Sequence, residues 1–511
     1  MRRYDAVAIG SGINSLVAGA LLARAGWRVC VLERNEWLGG AIRTMELTEP
    51  GFVHEAFASW HPLFVGSAAY AELKDELGRR GVEYLNTDLA TATLYPDGES
   101  RFLTTAHADN VGALGPGWER TVAGFMPNAD LAFGVLGTEL WSRDGVRLGW
   151  KAYRRLGRRG LVEFMGNVLV SCRDWVRETF EDERAWGVFA PWVLHTGLGP
   201  DAASSGFMAQ VIGVAIELGG MPVPRGGGVK LVQALAGIVE DAGGSCETER
   251  EAERVVVERG HAVGVVAAGE TIEATRAVLA CTTPQALYGG LLGDDLPEAR
   301  RFRFGRAEIQ IHFALSEPPQ WRGDGRLGRT AMLHLTPGLD GVSRAVNEAE
   351  RGLLPTEATV VVGQPMAVDP SRAPAGSWIL WIQLQEVPSE LKGDAAGEID
   401  TSGGWTEAVR EAYADRIQAR IAHHAPNIER SIVGRVAYSP ADIEAANPNM
   451  VGGDIYSGSC ALDQNLLWRP RPGLPGHRTH VERLWHIGAS THPGPGLGAG
   501  SGYLVAKALL K

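Results

Sequence analysis

Two glycine-rich segments, one near each end of the 511-residue chain, carry residue types and spacings suited to holding a diphosphate. The first is Gly10-Ser11-Gly12-Ile13-Asn14-Ser15. Gly10 permits a tight turn after a strand, and Gly12 lets backbone approach a diphosphate with no side chain in the way. A helix that begins here offers free N–H groups and its positive dipole end to the phosphates. Ser15 replaces a third glycine whose usual role is close helix–strand packing, and serine is small enough to serve. About 20 residues further on, Glu33 stands where an acid accepts hydrogen bonds from ribose hydroxyls. Next comes Leu38-Gly39-Gly40-Ala41-Ile42-Arg43-Thr44. It predicts a second close approach of backbone, with Arg43 available to neutralise charge; a ligand-free glycine loop is the alternative. The other segment runs from Gly488-Ala489-Ser490-Thr491-His492-Pro493-Gly494 through Gly496 and Gly498 to Gly502.

The elements that must position these residues are legible around them. A strand over Tyr4–Ile9, a helix over Asn14–Ala25 and a strand over Arg28–Glu33 frame the first segment. A short apolar strand, Leu484–Ile487, precedes the second, and a terminal helix follows it. A plain βαβ turn without nucleotide leaves the spaced acid idle, and a nicotinamide enzyme leaves residues 488–502 unexplained. A flavoprotein that wraps FAD from both ends of the chain uses both segments.

Residues Tyr4 to Thr44 resemble the FAD-binding end of the phytoene-desaturase-like flavoproteins, which include carotenoid desaturases, carotenoid isomerases and retinol saturases. Pro224-Arg225-Gly226-Gly227-Gly228 with Leu231-Val232-Gln233-Ala234-Leu235 and Gly243-Gly244 resembles that family's mid-chain signature. Val263-Gly264-Val265, Ala277-Val278-Leu279 and Thr491-His492-Pro493-Gly494 continue it. Asn449-Met450-Val451-Gly452-Gly453-Asp454, with Gln464 and Arg469-Pro470, resembles the branch labelled pyridine-nucleotide-disulfide-oxidoreductase-like. The resemblance implies an α/β fold, a Rossmann-type FAD-binding domain with a parallel sheet and small antiparallel layer, joined to a discontinuous mixed α+β substrate domain. Together with the spacing, it implies FAD held by Gly10, Gly12, Asn14, Ser15, Glu33, Arg34, Gly39, Gly40, Ala41, Arg43, Ala58, Ser59, Gly488, Ala489 and Gly498. It also places His492, and His61 within Ala58-Ser59-Trp60-His61-Pro62, beside the flavin ring as candidate catalytic residues. A histidine there acts as acid or base or tunes the flavin by hydrogen bonding, unless it only shapes its turn.

Composition suits a large two-domain enzyme. A net charge of −11 argues against a nucleic-acid partner. The five cysteines (Cys30, Cys172, Cys246, Cys281 and Cys460) form no C-x-x-C, so they read as reduced thiols and exclude disulfide-reductase chemistry. No signal-like or membrane-spanning stretch is visible, which makes a cytoplasmic location the expectation. No metal site is expected. Residues 1–75, 225–300 and 430–511 are assigned to the FAD domain, and 76–224 (largely helical by pattern) and 301–429 to the substrate domain. Strands are expected at Val255–Glu258, Val263–Ala267, Val278–Ala280, Glu308–Leu315, Thr359–Val362 and Trp378–Leu384. His195 reads as a structural histidine, and Trp60, Trp192, Trp378 and Trp381 as pocket lining or core.

One segment departs from the acidic average. Between Arg143 and Arg159 there are seven basic residues and one acid, and Lys151, Arg154, Arg155, Arg158 and Arg159 fall at helical spacing on one face. A solvated helix face is the ordinary outcome of such a run. With the apolar residues that follow to Leu169, residues 143–169 also suit peripheral membrane contact or an oligomer surface. The oligomeric state is open.

Functionally, the motifs point to an FAD-dependent oxidoreductase acting on C–C or C=C bonds of an apolar polyene, terpenoid or acyl-type small molecule. A redox-neutral flavin isomerase and an FAD-retaining binding or assembly protein are alternatives that no motif separates from it. An amine oxidase has a similar fingerprint but usually lacks the His-Pro-Gly pattern.

Overall fold

The computed structural model describes residues 2–470, 472–474 and 476–511. Two seven-stranded sheets organise them. The strands, in chain order, are β1 (Arg2–Ile9), β2 (Val29–Leu32), β3 (Thr91–Leu94), β4 (Ser100–Leu103), β5 (Ser245–Glu247), β6 (Ala252–Glu258), β7 (His261–Ala267), β8 (Glu270–Cys281), β9 (Ala307–Leu315), β10 (Met332–Leu335), β11 (Val360–Gly363), β12 (Trp378–Val387), β13 (Ile432–Tyr438) and β14 (Leu484–Ile487). The helices that bear on function are α1 (Ile13–Arg24), α2 (Arg143–Leu169), α3 (Glu183–Leu194), α4 (Ser205–Gly219), α5 (Val229–Asp241), α6 (Glu407–His424) and α7 (Gly500–Leu509).

The first sheet has the order β6-β7-β8-β1-β2-β5, and β14 also pairs with β8. Strands β5, β2, β1, β8 and β14 run parallel, while β6 and β7 form an antiparallel flap on the first half of β8. All four residues of β2, Val-Cys-Val-Leu, are buried, as a parallel strand covered on both faces requires. Helix α1 is buried from Ile13 to Ala23 because it packs against both α5 and α7 as well as the sheet. Small residues make those contacts close. A Cβ on Gly502 of α7 would lie 1.9 Å from the carbonyl oxygen of Asn14.

The second sheet has the order β13-β9-β12-β11-β10-β3-β4, antiparallel except for the β10–β3 pair. One face, with Ile309, Ile311, Phe313, Val360, Val362, Leu380, Ile382 and Leu384, packs against Tyr413, Ile417 and Ile421 of α6. Burying each such side chain contributes about 1.5–3 kcal/mol. The opposite face belongs to the layer of α3 and α4.

Two features of this topology bear on the expected domain division. Residues 76–224 are helical in bulk but also supply β3 and β4, which enter the second sheet through β10. Residues 430–511, assigned to the nucleotide side, give their first strand, β13, to the second sheet, where Gln310 pairs with Tyr438. The second sheet thus takes up three strands whose place depends on long-range partners. Among the described residues no helix is long and apolar enough to cross a membrane.

Candidate functional site

The carboxyl ends of β1, β2, β8 and β14 lie together, because Ile9 pairs with Leu32 and Ala280, and Cys281 pairs with Ile487. In open α/β sheets this edge, beside the first strand, is where ligands bind. Helix α1 starts here at Gly12, with no side chain capping it and no acid in its first turn. A buried helix N-terminus left open in this way suits an anion.

Four chain segments converge on that terminus. Gly12 forms a bridge with Gly39, and a Cβ on Gly40 would come within 3.2 Å of the Gly12 Cα. A Cβ on Gly488 would meet the Cys281 sulfur at 3.0 Å, and the same sulfur would be 3.7 Å from a Cβ on Gly12. Gly10, Gly39, Gly40 and Gly488 all have positive φ, which L side chains adopt only with strain. Glu33 is buried; one carboxylate oxygen accepts from the N–H (3.0 Å) and hydroxyl (2.6 Å) of Ser11, and the other from the N–H of Asn35 (3.0 Å). Ser11 Oγ in turn accepts from the N–H of Gly39 at 2.9 Å. The acid therefore holds the turn and the second glycine loop together and keeps acceptor capacity for a ribose hydroxyl.

Most predicted cofactor residues are assembled here. The Ala41 carbonyl accepts from the N–H of Ala58 at 3.1 Å, which draws Ala58 and Ser59 to the glycine loop. A Cβ on Gly498 would sit 3.5 Å from the Leu63 carbonyl, so the C-terminal segment closes over residues 61–63. Ser15 is buried, and its hydroxyl has no partner, as has that of Ser59. Asn14 acts between helices: its side-chain oxygen accepts from the N–H of Gly502 at 3.0 Å. Arg34 is not brought to the site; its exposed side chain lies 3.8 Å from Glu251. Arg43 lies over the Trp37 ring, 3.6 Å from its centroid. A guanidinium gains more from a nearby aromatic face than from open solvent, and residue spacing alone does not show where such a face will be.

Sequence reasoning missed Ser11, Cys281, Asn449 and Ser501. Asn449 Nδ2 donates to the Cys281 carbonyl (3.0 Å) and Ser501 Oγ accepts from the N–H of Gly488 (3.0 Å). The serine inside G-S-G was the available signal for Ser11; the others act through partners far along the chain.

The candidate catalytic histidines differ in their surroundings. His61 is fully buried, with Nδ1 3.0 Å from the Tyr84 hydroxyl and Nε2 unpartnered. His492 is buried with both ring nitrogens unpartnered, and its carbonyl is 2.8 Å from Nε2 of His477. Among the described residues no hydrogen bond or ring contact joins the two. Burial lowers His61 to about 3 and His492 to about 4, so both are neutral near pH 7. Each is fitted to hydrogen-bond, not to carry a proton as imidazolium.

Burial acts similarly on His54 (about 4), His195 (about 3) and His486 (about 4). His195, read as structural, meets His334 with an Nε2–Nε2 distance of 3.1 Å. Because these folded-state values lie below the ordinary 6.5, the histidines favour folding fully above pH 6.5, and that contribution is lost as pH falls toward 4. Buried Glu55, Glu308, Glu386 and Asp454, raised by desolvation, oppose this over part of the window but are outnumbered. The thermal midpoint is expected to be level from pH 8 to 7 and to fall steeply from pH 6.5 to 5. A midpoint unchanged at pH 5 would contradict the assignment.

The second sheet faces residues 56–61. Trp381 Nε1 donates to the Phe57 carbonyl at 2.8 Å, His312 Nε2 lies 3.2 Å from the Ala56 carbonyl, and a Cβ on Gly363 would be 3.2 Å from Trp60 Nε1. On this face Gln310 stands directly opposite Gln383, and Val361 and His334 continue the row. Gln310 is fully buried with neither amide atom bonded; the Gln383 oxygen, His334 Nδ1, Trp60 Nε1 and Trp192 Nε1 are also unpartnered. A buried polar atom without a partner calls for one, and these lie on or against one face of the sheet. Trp378 instead packs at the rim with Met366 and Ile379.

Comparison with known proteins agrees with this geometry. The pattern of the family described as flavin containing amine oxidoreductase matches residues 16–374. Over nearly whole lengths the chain is 28% identical to pyridine nucleotide-disulfide oxidoreductase domain-containing protein 2 of Rattus norvegicus (98% of this chain, 92% of that protein). It is 25% identical to one chain of the limonene dehydrogenase of Castellaniella defragrans (99% and 94%) and 24% to phytoene desaturase of Fusarium fujikuroi (100% and 90%). Its fold is similar to that of putrescine oxidase, with a TM-score of 0.63 at 14% identity over 99% of both chains. An oxidoreductase from Methanosarcina mazei is also similar, with a TM-score of 0.61 at 17% identity over 99% of this chain and 100% of that one. The chain belongs to the flavin-containing amine oxidoreductase family and is a flavin-dependent oxidoreductase.

Proposed function

We propose that this protein binds FAD and transfers hydride to or from a carbon of an apolar polyene, terpenoid or acyl-type substrate. The observation that carries the FAD assignment is the convergence of Gly12, Gly39-Gly40 and Gly488 on the uncapped start of α1, with Glu33 at its edge. The residues fit the group. Backbone at Gly12 and the first turn of α1 would hold the diphosphate, Glu33 the adenosine ribose, and residues 58–61 and 488–498 the flavin end. When bound, FAD supplies the ring that takes or gives hydride.

The chain's own residues would then bind and orient the substrate between residues 56–61 and the inner face of the second sheet. Trp60, Trp192 and Trp381 exclude water there, and the open Gln310 amide and Gln383 amide oxygen suit a substrate with one polar group on an otherwise apolar body. Neutral His61 and His492 are consistent with chemistry that moves hydride at carbon and demands little proton transfer. The full-length likeness to phytoene desaturases and to a limonene dehydrogenase chain supports an apolar carbon skeleton over an amine as the substrate.

The test begins with the visible spectrum of the purified protein before and after heat release. Flavin bands that persist in the released fraction, and that run as FAD on chromatography, are expected. Anaerobic mixing with polyenes, terpenoids, acyl compounds and primary amines then follows flavin bleaching. Colourless protein that takes up no added FAD would overturn the cofactor assignment. Bleaching by amines alone would overturn the apolar-substrate assignment.

A further inference from the structure

The seven basic residues of the 143–159 segment do not share one helix face. Gly157, at φ +65° and ψ 179°, breaks α2 into two helical pieces and separates Arg158 and Arg159 from the rest. Before the break, Asp130 pairs with Lys151 and Arg155. What remains outward is unusual. No residue of α2 is buried, and large apolar side chains point to solvent at helical spacing: Val146 (74% exposed), Trp150 (60%) and Tyr153 (45%), then Val162 (67%), Met165 (57%) and Leu169 (47%).

A helix on a soluble protein turns its apolar stripe inward and its charges outward. In α2 some apolar residues face in, with Leu148 against Gly134 and Phe164 against Phe207 of α4, while a second apolar set faces out. Trp141 (61% exposed) extends the apolar surface, and its indole N–H donates to the Leu467 carbonyl, beside exposed Trp468. Interleaved with them, Arg143, Arg154 and Arg158 have no carboxylate partner among the described residues. A solvated face, the ordinary outcome of a charge run, does not account for this apolar surface.

We propose that α2 docks the protein on an anionic phospholipid surface. The arginines match lipid phosphates, and Trp150, Val162, Met165 and Leu169 reach the boundary between headgroups and acyl chains. A second copy of α2 is a poor occupant, because a two-fold contact would set like charges together. A nucleic acid has no use for the outward aliphatic residues. The inference is independent of the reading of the cofactor.

The test is co-sedimentation of the full chain with vesicles of phosphatidylcholine alone and of phosphatidylcholine mixed with phosphatidylglycerol. Binding to the mixed vesicles, weak binding to the neutral ones, and reversal by salt are expected. Arg143→Glu with Arg154→Glu and Arg158→Glu should weaken binding at least roughly tenfold. Trp150→Ser with Val162→Ser and Met165→Ser should weaken it as well, with thermal midpoints at the wild-type value showing that both variants fold. No wild-type binding to the mixed vesicles at low salt would overturn the proposal. Undiminished binding by the charge variant would do the same, as would a protein dimer in solution that the serine variant abolishes while vesicle binding is absent.

Discussion

Arg372→Met is expected to lower stability by about 3–5 kcal/mol, because it strips two buried carboxylates of their shared cation. Arg372 is 1% exposed. Its guanidinium meets Glu55 at 3.0 Å and Asp369 at 2.8 Å, and donates to the Pro224 carbonyl at 3.0 Å. Both acids continue into backbone. Glu55 accepts from the N–H of Gly228 and from the Thr44 hydroxyl, and Asp369 accepts from the N–H of Gly226. Burial pushes the Glu55 carboxyl up against the pull of Arg372. For Asp369 burial is overcome, and Ser371, Gly226 and Arg372 hold it below the usual carboxylate range.

The network therefore ties three parts of the molecule: the Pro224–Gly228 turn at the start of α5, the antiparallel pair Thr44–Glu46 and Val53–Glu55, and the loop before β12. Loss of the arginine should loosen all three and reduce flavin content in whatever protein still folds. Urea denaturation followed by tryptophan fluorescence reads the first effect, and the flavin-to-protein absorbance ratio reads the second. Neutralising the acids too, with Glu55→Gln and Asp369→Asn added to Arg372→Met, should recover part of the midpoint, since an unpaired buried charge is the main penalty. A single variant with the wild-type midpoint and slope would show that the network is not what holds these segments.

The second large effect is expected at Glu33. Glu33→Ala removes the acceptor proposed for the ribose and, at the same time, the carboxylate that holds Ser11 and Asn35. Hydrogen bonds to a charged group contribute about 1.5–3 kcal/mol each, so FAD should bind roughly 10- to 100-fold more weakly, or worse where the turn also relaxes. Glu33→Gln, which keeps one acceptor, should lie between. Apoprotein titrated with FAD, followed by flavin fluorescence, gives the affinities, and a thermal melt without FAD separates lost binding from lost folding. An alanine variant with wild-type affinity would remove Glu33 from the site.

Much of the cofactor end was determined by the sequence alone. The Gly10–Ser15 turn, the helix behind it, the strand ending near Glu33 and the strand at Leu484–Ile487 depend on local rules: φ freedom at glycine, apolar runs of strand length, and turn residues between them. Those rules act over a few residues, so the chain reveals them directly. The same holds for the β6–β7 flap and the cores of β9, β11 and β12. Tertiary structure decided the remainder. It set which side chains of those strands face the site, since Gln310 opposes Gln383 only through register between strands far apart in the chain. It turned Arg34 outward and laid Arg43 on Trp37. It recruited β3, β4 and β13 to the second sheet through partners that no local pattern names. It also left a set of large apolar side chains of α2 outward, which residue spacing could not show, because a periodic pattern establishes that a helix has two faces but not which one the protein covers.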